Sequence, residues 1–124
     1  MCGAAVIGRS GVVDDSRKLA TVALALLLVA LPLSAPCQQT VEVVIQNYRF
    51  EPTRVQIKVG DTVKWVNREK RTSHSVVFST EQGGESERFF PDESWQRRFT
   101  VPGRFPYHCG PHPEMTGVVE VGGS

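Results

Sequence analysis

From residue 41 onward the chain is divided into short stretches in which apolar and polar residues alternate, and none of them carries ten residues of helical periodicity. Residues 41–46 (VEVVIQ) are rich in β-branched side chains, which suit a pleated, half-buried surface. Residues 54–59 (RVQIKV) put Val55, Ile57 and Val59 on one face, and 62–66 (TVKWV) alternate again. Gly60-Asp61 between them is a turn signal. A further run follows at 75–78 (SVVF), Gly83-Gly84 breaks the chain, and 95–101 places Trp95, Arg97 and Phe99 on one side. After the tight turn at Pro102-Gly103, residues 104–109 are extended and 116–121 (TGVVEV) close the series. Many short strands separated by turns predict an all-β fold, an antiparallel sandwich or barrel. Trp65, Phe99 and Phe105 belong to its expected core, and the polar stretch 81–91 is expected on the surface.

The segment before the first strand is of another kind. Residues 19–33 (LATVALALLLVALPL) carry no charge, Arg17 and Lys18 stand directly before them, and small residues with Pro follow. That layout reads as a secretory signal, and the apolar run is shorter than the about 20 residues a spanning helix needs. The expected organisation is therefore a signal peptide at 1–37 and one domain at 38–124. Asp14 and Asp15 are unusual so close to a signal, and a later start of translation near Val12 or Val13 accounts for them. Cys37 stands at the boundary, where two outcomes are open. Ordinary cleavage yields a soluble exported protein, the favoured reading; acylation of Cys37 yields a lipid-anchored one, against which Pro36 speaks.

Removing 1–37 takes three of the 14 Lys+Arg and two of the 13 Asp+Glu, which leaves 11 of each. A neutral domain is not a nucleic-acid binder. Of the 3 cysteines only Cys109 then lies within the domain, so an internal disulfide is excluded. A lone thiol in an oxidising compartment invites oxidation unless something occupies it, and a metal is the simplest occupant.

The residues around Cys109 supply that metal's other donors. Cys109-Gly110-Pro111-His112-Pro113-Glu114-Met115 sets a thiol, an imidazole and a thioether in a loop stiffened by Pro and Gly. Two imidazoles, a thiolate and a weak axial thioether make the trigonal site that favours copper; zinc, the competing metal, prefers tetrahedral N/S ligation. The second imidazole is His74 or His108. His108 precedes Cys109 on the same extended segment, so it points to the opposite face, and His74 is taken as the ligand.

With these residues in hand, the stretch 41–121 resembles the cupredoxins, the small blue copper proteins of the plastocyanin and amicyanin group. The matching motifs are NYRFEP at 47–52, VGDTVKWVN at 59–67, SHSVVF at 73–78, VPGRFPYHCGPHPEM at 101–115 and GVVEV at 117–121. The resemblance implies a Greek-key antiparallel β-sandwich that binds one type 1 copper ion and carries single electrons by Cu(II)/Cu(I) cycling, without being an enzyme. It implies His74, Cys109 and His112 near the trigonal plane and Met115 as the axial donor. It also implies an electron donor and an electron acceptor as protein partners, a monomer in the periplasm or otherwise exported, and no stable membrane insertion once the signal is gone. The alternative is a copper-storage or copper-delivery protein on the same fold.

Two positions depart from the family's commoner pattern. Asn often follows the first histidine ligand, whereas this chain has Ser75, whose hydroxyl is expected to tie the two ligand segments together with a shorter reach. Glu114 stands where an apolar residue is common and reads as a solvated loop residue. The cluster Arg68, Lys70 and Arg71, interrupted by Glu69, likewise reads as a solvated loop.

Overall fold

Seven strands in a computed structural model account for most of the regular structure among the described residues, which are 37–123 together with Ala30. They are β1 (Thr40–Gln46), β2 (Arg49–Glu51), β3 (Arg54–Lys58), β4 (Thr62–Asn67), β5 (Ser94–Arg98), β6 (Gly103–His108) and β7 (Thr116–Gly122), with one 3-10 turn at Thr80–Gln82. The export segment expected at 1–37 lies, but for Ala30 and Cys37, outside the described residues. Among the described residues no helix is long and apolar enough to cross a membrane.

The strands form two sheets, ordered β2-β1-β4-β5 and β3-β7-β6. The all-β sandwich expected from the alternation is there, but its sheets are mixed. β1 pairs with β4 and β3 with β7 in parallel, while β1–β2, β4–β5 and β6–β7 are antiparallel. Alternation tells which face of a strand is buried. It does not tell which strand lies beside it.

Register follows from that buried face. Val43 and Ile45 of β1, Val55 and Ile57 of β3, Val63 and Trp65 of β4, Phe105 and Tyr107 of β6, and Val119 and Val121 of β7 all point between the sheets. Each such side chain contributes about 1.5–3 kcal/mol on burial. The aromatic part of the core is continuous. Tyr107 meets Phe50 at 4.8 Å and Trp65 at 5.4 Å between ring centroids, both edge to face. Phe99 meets Phe105 at 5.2 Å. The half-buried Arg97 covers this group, its guanidinium 4.6 Å from the Phe78 ring and 4.8 Å from the Phe99 ring. Tyr107 is paired across β6 and β7 with Gly117, where any Cβ would collide with the phenol ring. Burial pushes the Tyr107 hydroxyl up to about 12, with the Trp65 indole opposing the shift.

Three expectations are revised. Residues 75–78 are extended but join no ladder; they touch their neighbours through the single bridges Val77–Glu85 and Val77–His108. β2 was not expected, because three residues with one buried side chain, Phe50, show no period. The stretch 81–91 is mostly at the surface, as its polarity suggests, but Phe89 is buried and bridges to His74.

Candidate metal centre

Each donor reaches one end of the sandwich by a different local device. Cys109 follows directly on β6, and its backbone N–H donates to the Met115 carbonyl at 3.0 Å, closing the loop that precedes β7. Within that loop Met115 N–H donates to the His112 carbonyl at 2.9 Å. Pro111 and Pro113 remove backbone donors from the loop, so few bonds set its shape, these two among them.

His74 arrives on the irregular segment after β4. Its backbone exchanges two hydrogen bonds with Phe89, at 3.1 and 3.0 Å, and Val77 exchanges two with His108, at 2.8 and 3.1 Å. One side of this segment is thus tied to the 85–89 stretch and the other to β6. The buried Asn67 amide secures the turn before it, donating to the Thr72 and Phe89 carbonyls at 2.7 and 3.2 Å and accepting from Glu69 N–H at 2.9 Å.

The result is a convergence of three donors. His74 Nδ1 stands 3.4 Å and His112 Nδ1 3.7 Å from Cys109 Sγ, and the donor atoms of all three residues lie within 4.8 Å of one another. Donors at 2.0–2.3 Å from a shared ion and about 120° apart are separated by about 3.7 Å, close to the two distances from Cys109 Sγ. Cys109 and His74 are 0% exposed and Met115 is 3% exposed, whereas His112 is half-buried. His108 stands outside this group, half-buried at the end of β6.

The electrostatics agree with a metal site. Burial holds the His74 imidazole below its ordinary pKa, with His112 adding to the effect and Glu69 opposing it, so His74 is a neutral donor. Burial pushes the Cys109 thiol up, against backbone N–H bonds from Ser75 and His112. Only a bound cation turns such a thiol into a thiolate at neutral pH. His74 Nε2 is buried without a hydrogen-bond partner and stands 3.9 Å from Glu69 Oε1. A metal on Nδ1 requires the proton on Nε2, facing that carboxylate, which fixes tautomer and ring orientation.

Two residues of this neighbourhood escaped the sequence reading. Glu69, expected in a solvated loop, is half-buried, and it accepts from Tyr48 N–H at 2.7 Å as well as facing His74. Tyr48 lies edge-on to His112 at 5.0 Å and to His74 at 6.1 Å. Asn47 and Tyr48, at φ 54° and 55°, form the two-residue turn between β1 and β2. A left-handed Tyr is uncommon there, because Asn-Gly is the usual signal, so Asn47-Tyr48 carries no turn signature in the sequence.

The donor set, its spacing and its burial are those of a copper site. A family model described as copper binding proteins, plastocyanin/azurin family, matches residues 37–122. This chain belongs to the plastocyanin/azurin family. Amicyanin of Paracoccus denitrificans is 38% identical over 81 residues, covering 62% of this chain and 61% of that protein. The match to it therefore spans less than two thirds of that relative. Amicyanin-alpha of Methylorubrum extorquens is 36% identical over 106 residues, covering 82% of this chain and 87% of that protein. A plastocyanin of Scenedesmus fuscus is 36% identical over 84 residues, with coverages of 58% and 85%. Among solved structures, the reduced Cu(I) form of an amicyanin mutant at pH 4 superimposes with a TM-score of 0.64 at 34% identity, covering 67% of this chain and 82% of that one. As a plastocyanin/azurin family member the chain is a type 1 copper protein, and His74, Cys109, His112 and Met115 are the side chains that could hold the ion.

Proposed function

We propose that this protein is an exported, monomeric carrier of single electrons, working between a donor and an acceptor protein, with its copper held by His74, Cys109 and His112 and by Met115 as a weak axial donor. The observation that carries the reading is a buried free thiol with two imidazole nitrogens at 3.4 and 3.7 Å. Copper, when bound, supplies the one-electron Cu(II)/Cu(I) couple, for which a soft thiolate with imidazoles is suited in both states.

The chain's own part is to keep the donors in place and dry. Cys109 and His74 are sealed from water, and the backbone bonds of Phe89, His108 and Met115 hold their segments on three sides. Such a frame needs little rearrangement between oxidation states. His112, half-buried beside the exposed Pro113 and Glu114, is the donor nearest to solvent and the route by which an electron enters or leaves. Four protein donors leave no position for a substrate, so the protein is a carrier and not an enzyme. The same closure speaks against storage or delivery, which need a site that opens. The charge-free run at 19–33 after Arg17 and Lys18 supports export, and cleavage at Cys37 rather than its acylation leaves the domain free to diffuse.

Purified protein given one equivalent of Cu(II) should turn intensely blue and bleach reversibly with ascorbate. Cys109→Ser should abolish the colour even where the imidazoles retain some metal. A colourless copper-loaded wild type would refute the assignment.

A further inference from the structure

The ligand loop is tied to the His74 segment by Ser75, which follows His74, and Ser75 is held in turn by a side chain from outside both segments. Ser75 is 0% exposed, and its hydroxyl accepts from Gly110 N–H at 3.1 Å and donates to Glu85 Oε1 at 2.8 Å. A hydroxyl has one proton and is free to rotate. An ionised carboxylate is acceptor-only, so Glu85 draws that proton to itself and leaves the oxygen lone pairs for Gly110. The carboxylate also packs against the loop, since a Cβ at Gly110 would collide with both Glu85 Oε1 and Ser75 Oγ. Glu85 is in turn held from both sides. Phe78 N–H donates to the Gly84 carbonyl at 2.9 Å, and Ser86 N–H donates to the Val76 carbonyl at 2.9 Å. Val76 N–H completes the tie with a bond to Ser86 Oγ at 2.9 Å.

We infer that Glu85 is a positioning residue of the copper site, fixing the Ser75 hydroxyl so that the segments following His74 and Cys109 are locked together. The inference rests on the ligand assignment proposed above. Ser75 has too short a side chain to lock its own orientation, and Glu85 supplies the acceptor that fixes it. The device also brings a negative charge to the loop beside Cys109, a charge that favours Cu(II) over Cu(I). Arg88 is the cation that faces the same donors, acting on both His74 and Cys109, and it offsets part of this effect.

The test uses the full chain, metal-free and as the Cu(I) form, with amide hydrogen exchange at Gly110 and the reduction potential as readouts. Glu85→Gln keeps an acceptor of the same shape and loses the charge. Its Gly110 exchange should stay within about twofold of wild type while the potential rises. Glu85→Ala should speed Gly110 exchange about tenfold, the order expected for one lost hydrogen bond. Adding Ser75→Asn to Glu85→Ala should restore the protection, because the larger amide then has room to reach Gly110. Unchanged exchange in Glu85→Ala, or equal losses in the Gln and Ala variants, would overturn the inference. The exchange measurement on the metal-free chain stands whether or not the copper assignment does.

Discussion

Asp61→Asn is expected to cost stability while leaving the copper site alone. Asp61 closes the turn between β3 and β4 and is only 7% exposed. Each carboxylate oxygen accepts one backbone N–H, Oδ1 from Gln39 at 2.9 Å and Oδ2 from Lys58 at 3.0 Å. An asparagine of the same shape keeps one acceptor and turns an NH2 group toward the other N–H. One charge-assisted bond is lost and a donor–donor contact replaces it, a cost of about 2–3 kcal/mol. In a domain of this size that lowers Tm by about 10–20 °C. The backbone bonds from Gln39 and Lys58 hold the Asp61 carboxyl below its ordinary pKa, opposed by burial and helped by the Lys58 charge. A lowered folded pKa means that the stabilisation is complete above the unfolded value of about 3.9 and disappears as pH falls through the folded one. The gap between wild type and variant should therefore be constant from pH 7 to 5 and narrow as pH falls below the unfolded value of about 3.9, as wild-type Asp61 takes up a proton. Thermal unfolding of the metal-free proteins followed by circular dichroism across that range measures it. Asp61 and the metal loop lie at opposite ends of β4, about 17 Å apart along the strand, so the blue absorption should be unaffected. A cost below about 0.5 kcal/mol at pH 7, within the scatter of ordinary surface changes, would refute the reasoning, as would a gap that persists undiminished at pH 3.

His108→Ala should keep the blue spectrum and His74→Ala should lose it; the reverse result would mean that the wrong histidine is paired with Cys109. Met115→Gln should still bind copper but at a lower potential, since an oxygen donor favours Cu(II), and voltammetry showing no change would remove Met115 from the axial position. Gly117→Ala forces a methyl into the Tyr107 ring and should destabilise the domain by about 1–3 kcal/mol in denaturant titrations, with the absorption spectrum retained.

How much was legible beforehand depended on whether the information is local. β1, β3, β4 and β7 were readable because each carries its own alternation of buried and exposed residues. Their parallel pairings were not, since a strand's pattern is indifferent to its neighbour. Cys109, His112 and Met115 stood out because one short loop holds all three, and the alternation along 104–109 sufficed to set His108 apart from Cys109. Glu69 and Glu85 did not stand out, because their importance lies in what they face. Glu69 meets His74 and Glu85 meets Ser75 through folding, and in the sequence both sit in polar stretches that look like solvated loop. The pair Phe89-Phe90, in a stretch otherwise polar, was the available sign that 81–91 is partly anchored, and Phe89 is the residue that anchors it.

The mixed sheets have a consequence for the order in which the molecule can be made. β1 has its parallel partner only once β4 exists, and β3 waits for β7, whose residues follow the metal loop. Pairings of such long sequence separation form late and slowly. A chain emerging N-terminus first therefore has its three-stranded sheet unpaired until residues 116–122 are free, and His112 and Met115 reach their places in the same interval. Until then the donors of His74, Cys109 and His112 are not gathered at one point.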